Sequence, residues 1–396
     1  MDTDIQAIDR TYVANTYSRF PLTVARGKGS TVWDEAGRAY IDLSTGIAVN
    51  TFGVADDAWL AAVTAQLSTL PHMSNLYYTA PCATLAKMLC ERTGMSRVFF
   101  SNSGAEANEC AIKVARRYAE ERRGKNAYTI VTLVNSFHGR TITTLAATGQ
   151  DVFHKDFTPL TEGFVHVRAG DLAGLEQVLT EHDCAALMME PVQGEGGVVP
   201  LDAEFVRGAA KLCEEHGTLL IFDEVQTGNG RSGSLYAYMQ YGVKPDIVTT
   251  AKGLAGGLPL GATLLGERVR DVLTPGSHGS TFGGNPAACA GAISILSRLD
   301  ENMLAGVRER SAYIRSRLNG APGVLEVSGM GLMLGVRTQR SAGDIILDCM
   351  ARGVLVIRAK ERVRLLPALN IPMDQLAAAM DVLCEVCAVG AEKKGE

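Results

Sequence analysis

Short apolar runs alternate along the chain with longer stretches whose apolar positions recur every three or four residues, the pattern of an α/β protein. Arg97–Phe100, Thr129–Val134, Ala185–Met189, Thr218–Phe222, Asp246–Thr250 and Leu260–Leu265 predict strands. Nearly all are apolar throughout rather than at alternate residues, so a sheet covered on both faces is expected. Ser103-Gly104-Ala105-Glu106 has the spacing of a helix start in which Ser103 caps and Glu106 reaches back. Ala107, Cys110, Ala111, Val114, Ala115 and Tyr118 then keep helical spacing, and Arg122 and Arg123 close the helix before Gly124. Asn285-Pro286 predicts a second helix, a cap followed by proline, running through Ala292 and Leu296.

The 396 residues exceed one ordinary core of ~100–150 residues, which predicts a large domain and a smaller one. Thr11–Val49 and Asn302–Glu396 are expected to build the smaller domain together. Neither internal repeats nor low-complexity linkers are found. Charged residues make up 20% and the net charge is -5, which argues against a nucleic-acid or anionic-membrane partner. Apolar runs fall short of the ~20 residues of a membrane span. The N-terminal MDTDIQAIDR is acidic and lacks an apolar run, so no secretory leader is expected there. The nine cysteines then read as free thiols of a cytoplasmic protein. Cys384 and Cys387 lack the second ligand pair that zinc needs, so no metal site is expected.

Candidate chemistry gathers where strands end. Thr218–Phe222 runs into Asp223-Glu224, and Asp246–Thr250 runs into Ala251-Lys252. Carboxyl ends of strands are where open α/β sheets collect functional groups, so Asp223 and Lys252 are expected to share one crevice. A desolvated amine beside a carboxylate can be tuned as a nucleophile. Spacing alone equally allows a structural ion pair or an exposed lysine. Ser103, Gly104 and Ala105 open a helix whose free N–H groups could hold phosphate; a bare capped helix is the plainer reading. Phe137 could stack on a planar ring and Arg140 could fork onto a carboxylate, whereas His138 alone is unremarkable. Gly228–Gly233 matches a G-x-G-x-x-G string, but lies past a charged turn and reads as a loop.

From about Thr16 to Asn370 the chain resembles the class III, fold-type I aminotransferases, which use pyridoxal 5′-phosphate. FSNSGAEANE, FHGRT, EPVQGEGG, FDEVQTGNGR, AKGLAGG and HGSTFGGNP stand in the family's order and spacing. Within the class, NTYSRFPL and GSHGSTFGGNP are most similar to the acetylornithine aminotransferases. The resemblance implies a large domain with a mostly parallel seven-stranded sheet plus a smaller α/β domain. It places an arm and part of the small domain at 1–50, the cofactor domain at 51–290 and the rest of the small domain at 291–396. Lys252 would carry the cofactor as a Schiff base, and Asp223 would keep its ring nitrogen protonated. Gln226 would bond the ring hydroxyl, with Val225 and Phe137 on opposite faces and Glu224 nearby. Ser103, Gly104 and Ala105 would hold the phosphate, joined by Thr281 from a partner subunit, which implies a two-fold homodimer.

For substrates, the resemblance assigns Arg140, with Ser280 close by, to the α-carboxylate of an acylated diamino acid, and Arg364 to that of glutamate or 2-oxoglutarate. Glu195 would pair with Arg364 for the first substrate and release it for the second. The reaction implied is transfer of the δ-amino group of N2-acetylornithine to 2-oxoglutarate, a step of arginine biosynthesis. Two departures matter. Val54-Ala55-Asp56-Asp57 replaces a histidine-rich string, for which a local packing difference with the following helix intact is expected. Ser44-Thr45-Gly46-Ile47 lacks the tyrosine usual in free-ornithine enzymes, which leaves room for an acyl group; Tyr17 lining the pocket keeps ornithine open. Succinylornithine, succinyl-diaminopimelate and 4-aminobutyrate are the other candidate donors. Arg364 speaks against an aminomutase, which has no dicarboxylate co-substrate to hold.

Overall fold

The computed structural model describes residues 4–391. Seven strands form the central sheet, in the spatial order Arg97–Ser101, Gly261–Leu265, Ile247–Thr250, Leu219–Asp223, Cys184–Met189, Thr129–Leu133 and Phe164–Val167. Gly261–Leu265 runs antiparallel to both neighbours, and the other pairs are parallel. The six strands expected from the sequence are present with ends shifted by a residue. The seventh, Phe164–Val167, went unread because it is a half-buried edge strand of four residues interrupted by His166.

Alternate residues of these strands enter two different cores, which explains why the runs are apolar throughout. Ala186, Met188, Leu219 and Ile221 meet the helix Gly104–Arg123 through Cys110, Ala111, Val114 and Ala115. Leu187, Met189, Leu220 and Phe222 face the larger core, which includes Phe205, Tyr236 and Ile295. Each such Leu or Phe fully buried contributes ~1.5–3 kcal/mol, so the sheet is the rigid part of the molecule.

Both predicted helix starts form, one with a difference. Ser103 Oγ accepts from Glu106 N at 3.2 Å, but Glu106 Oε2 reaches past Ser103 to accept from Asn102 N at 2.6 Å. The helix Pro286–Leu296 is capped by Asn285, whose side chain accepts from Ala287 N and Ala288 N. The helix Asp57–Thr69 is intact, with Asp56 as its cap.

Two four-stranded sheets and a two-stranded ribbon, Val192–Gln193 with Val199–Pro200, accompany the large one. Val354–Leu355 pairs parallel with Ala39–Asp42, so N-terminal and C-terminal segments share a four-stranded sheet with Val24–Lys28 and Thr31–Asp34. The other is antiparallel and built from Val324–Met330, Met333–Thr338, Arg362–Leu365 and Ile357–Ala359. Leu366 N donates to Leu43 O at 2.7 Å, tying the strand that carries Arg364 to the N-terminal sheet. Cys384 and Cys387 lie in the helix Met373–Ala388 as free thiols. Among the described residues no group of three metal-ligating side chains occurs, and no helix is long and apolar enough to cross a membrane.

Candidate active site

Register places the two residues that opened the chemistry. Asp223 ends its strand level with Thr249 of the neighbouring strand, and Ala251-Lys252 follow at once. Both Asp223 and Lys252 line a cavity of about 480 Å³ at the carboxyl ends of the parallel strands. Asp223 is only 4% exposed and its carboxylate is fixed from three directions. Oδ2 accepts from Asn108 Nδ2 and from His138 Nδ1, each at 2.8 Å, and Oδ1 accepts from Val225 N at 3.0 Å. Asn108 is held in turn by Thr249 Oγ1, which donates to its Oδ1 at 2.7 Å. Donation to a carboxylate requires the proton of His138 on Nδ1, and its buried Nε2 has no partner.

Lys252 sits in strained backbone, with φ of 42° in the left-handed region, a cost of about 1–3 kcal/mol. The flanking residues enforce it: Asn229 Nδ2 donates to Ala251 O at 3.2 Å and Thr51 Oγ1 to Gly253 O at 2.7 Å. Burial, with Arg364 adding repulsion, holds the Lys252 amine below its ordinary pKa despite the carboxylates of Glu195, Asp223 and Glu190. A larger neutral fraction suits an amine that must act as a nucleophile or a base.

The wall opposite is the start of the helix Gly104–Arg123. Its first N–H groups, at Gly104 and Ala105, have no intrahelical acceptor and line the cavity. A side chain at position 104 would strike Val225, since a Cβ there would lie 2.6 Å from Val225 Cγ1. Glycine therefore lets this helix-opening turn close onto the Val225 wall. Phe137 forms the other wall, edge-on to Phe153 with ring centroids 5.8 Å apart. Arg140 stands exposed at the mouth, its guanidinium 4.0 Å over the Phe153 ring, with no carboxylate partner among the described residues.

Arg364 is the second cation. It is 2% exposed, and its guanidinium forks onto Glu195, Nη1 to Oε1 at 2.5 Å and Nη2 to Oε2 at 3.4 Å. Nη1 also donates to Gln226 Oε1 at 3.1 Å, while Nε is buried without a partner. Burial pushes the Glu195 carboxyl up, but the charge and hydrogen bonds of Arg364, with Lys252 and Gln226, bring it below the ordinary glutamate value.

Several expected residues stand elsewhere. Glu224 turns away from the cavity; its carboxylate accepts from Thr227 Oγ1 and Tyr238 N, each at 2.6 Å, because successive residues at a strand end face opposite sides. Burial raises its pKa to about 7. Ser280 Oγ accepts from Asn102 Nδ2 at 3.2 Å and makes no bond to Arg140. Thr281 is exposed on the same loop, outside the cavity of its own chain. Tyr17 is 70% exposed and lines a separate groove beside the N-terminal helix Ile5–Tyr12, so it does not line this cavity. The Gly228–Gly233 loop is buried, with Arg231 Nη1 donating to Leu332 O and Pro367 O across to the C-terminal sheet. Sequence reasoning assigned no role to Asn108, His138 or Glu190; the last follows a wholly apolar strand directly, which is the signal that could have singled it out.

Pyridoxal phosphate fits these residues. The free helix N–H groups suit a phosphate, Phe137 and Val225 supply apolar lining for a ring, and the Asp223 carboxylate and the Lys252 amine line the same cavity to pair with a ring nitrogen and an aldehyde. The sequence profile of the class-III aminotransferases matches residues 12–387. An acetylornithine aminotransferase of Haemophilus ducreyi is 49% identical, over 96% of this chain and 98% of its own. A succinylornithine transaminase of Salmonella typhimurium is 44% identical, over 95% of this chain and 94% of its own. Among solved structures, the ornithine aminotransferase from Toxoplasma gondii superposes with a TM-score of 0.94 at 32% identity, covering 98% of this chain and 96% of that one. A profile match over nearly the whole chain, relatives of this identity and a cavity built from the family's motifs agree: the chain belongs to the class-III aminotransferases.

Proposed function

We propose that this enzyme transfers the δ-amino group of N2-acetylornithine to 2-oxoglutarate, giving N-acetylglutamate 5-semialdehyde and glutamate, with pyridoxal 5′-phosphate as cofactor. One observation carries the substrate reading: Arg140 lines the cavity and is open, whereas Arg364, joined to the cavity wall through Gln226, is masked by Glu195. A substrate with one carboxylate and a distal amine is gripped at Arg140, its amine directed at Lys252. A dicarboxylate needs a second cation, and Glu195 must leave Arg364 to provide it. One pocket thus serves two substrates in turn, the requirement of a ping-pong exchange.

When bound, the cofactor supplies an electron sink for the carbon that loses its proton. Asp223, kept in place by Asn108, His138 and Val225 N, holds a proton on the nitrogen that faces it. Lys252, whose amine burial holds below its ordinary pKa, moves the proton at the substrate's amine-bearing carbon. Gly104 and Ala105 anchor the phosphate, and Gln226 fixes the ring hydroxyl while touching Arg364. In a cytoplasmic two-fold homodimer, Thr281 of the partner subunit would complete the phosphate site; its exposure outside its own cavity supports this reading.

Borohydride reduction of the purified enzyme followed by peptide mapping is expected to place the cofactor mass on Lys252. A donor panel is expected to rank acetylornithine above ornithine, succinylornithine and 4-aminobutyrate in kcat/KM. A preference for 4-aminobutyrate would remove the role of Arg140, and cofactor mass on another residue would remove the mechanism.

A further inference from the structure

Glu190 is a buried carboxyl that the proposed mechanism does not use. It is 5% exposed, lines the cavity, and forms no salt bridge among the described residues. Its two oxygens engage two different loops. Oε1 accepts from Phe137 N at 2.8 Å, and Oε2 accepts from Gly194 N at 3.3 Å. The first loop carries the aromatic wall and Arg140. The second carries Glu195, which masks Arg364.

Gly194 makes the second contact consequential. A Cβ at this position would lie 2.7 Å from the side-chain amide of Gln226, so the backbone runs directly beneath that amide. Gln226 in turn accepts from Arg364 Nη1. A continuous set of contacts therefore leads from the wall at Phe137 through Glu190 and Gly194 to Gln226, Glu195 and Arg364. Gln193 Nε2 adds a parallel link between the same loops, donating to Val134 O at 2.9 Å, so they meet outside the cavity as well.

We propose that Glu190 is a positioning residue that fixes the ring-stacking loop to the Glu195 loop, and so sets how firmly Arg364 stays masked while the amine donor is bound. This rests on the substrate reading given above. Burial and the nearby Asp223 charge raise the carboxyl's pKa well above the ordinary range, so its proton is held to higher pH than that of a free glutamate and repulsion with Asp223 is lessened. The two half-reactions should then differ in their dependence on it. Donor binding needs Glu195 held on Arg364, whereas dicarboxylate binding needs Glu195 to leave.

The test compares E190Q and E190A with the unaltered enzyme. Amide hydrogen exchange of the cofactor-free chain is expected to speed up about tenfold in both 134–140 and 191–197 for E190A, and in one of the two for E190Q, which keeps a single acceptor oxygen, with the central strands unchanged, as loss of one buried hydrogen bond per segment predicts. In the loaded enzyme, kcat/KM for the amine donor should fall about tenfold while that for 2-oxoglutarate changes less than twofold. Loosening of only one segment in E190A, exchange like that of the unaltered chain in either variant, or equal loss in both half-reactions would overturn the proposal. Should E190A fail to fold, the near-isosteric E190Q still gives the loosening of one segment and the split between the half-reactions. Failure of the substrate reading would show in the donor panel alone, since exchange is measured without cofactor or substrate.

Discussion

The crevice at the strand ends and the loop His278–Gly284 hold site residues in opposite ways. In the crevice, Asp223 and Asn108 have buried partners on strands and helices, and the geometry exists before anything binds. On the loop, Ser280 and Thr281 stand near the surface; Asn102 and Asn75 tether Ser280, and Phe282 beside it is 59% exposed. Tyr77 and Tyr78 are exposed as well. A single chain thus supplies a preorganised reaction centre, while the residues expected to finish the phosphate site project outward. Preorganisation is where electrostatic catalysis comes from, so substitutions in the crevice should cost rate and substitutions on the loop should cost cofactor affinity.

The largest effect belongs to the crevice. K252A should lower kcat by on the order of 10³–10⁴, the contribution of a positioned acid–base group, with little change in thermal midpoint. Single-turnover kinetics with acetylornithine measures it; a loss below tenfold would mean that another group moves the proton. Next comes the masked arginine. R364A removes a charge-assisted fork and leaves Glu195 unpaired, so KM for 2-oxoglutarate should rise about 100-fold while KM for the amine donor changes far less. Equal rises for both substrates would break the distinction between the open and the masked cation.

The same contrast marks what could be read from the chain. Strands such as Cys184–Met189 and Leu219–Asp223 were legible because burial on both faces demands unbroken apolar runs. The Ser103 cap was legible because hydroxyl and glutamate spacing is local. Asn108 and His138 were not, because each is one polar residue whose partner lies far away in sequence: 85 residues separate His138 from Asp223. Glu190 was missed because the bond that ties it to the cavity wall reaches Phe137 N, 53 residues away. Glu224 was misread for a related reason, since the resemblance put it near the cofactor and only the strand pleat shows it facing Tyr238. Tyr17 was placed at the pocket by resemblance, and the chain folds it onto a separate groove.

On the loop side, T281A is expected to weaken cofactor binding about tenfold, the equivalent of one hydrogen bond to a charged group, without lowering kcat at saturation. Mixing T281A and K252A chains sharpens the point. If Thr281 serves the partner's site, mixed dimers contain one site with both native residues and regain full cofactor affinity at that site. Titration of the mixture that shows only weak sites would place Thr281 in its own chain's cavity.

The smallest effect separates two carboxyls of one loop by the sign of their pH dependence. Arg364 holds Glu195 below the ordinary glutamate value of 4.5, so the unfolded chain binds the extra proton as pH falls. The stability from this pair is fully present above that ordinary value and is lost as pH falls through the lowered one. Glu190 is shifted the other way by burial and by Asp223, so the folded chain keeps its proton above pH 4.5 and stability is lost as pH rises. Urea unfolding of the unaltered enzyme, E195Q and E190Q across pH should therefore give difference curves of opposite slope. The E195Q deficit should shrink only on the acid side, and the E190Q difference should move in that variant's favour towards neutral pH. Parallel curves would mean that the two glutamates share one environment, and the division between a masking carboxylate and a neutral strut would fall.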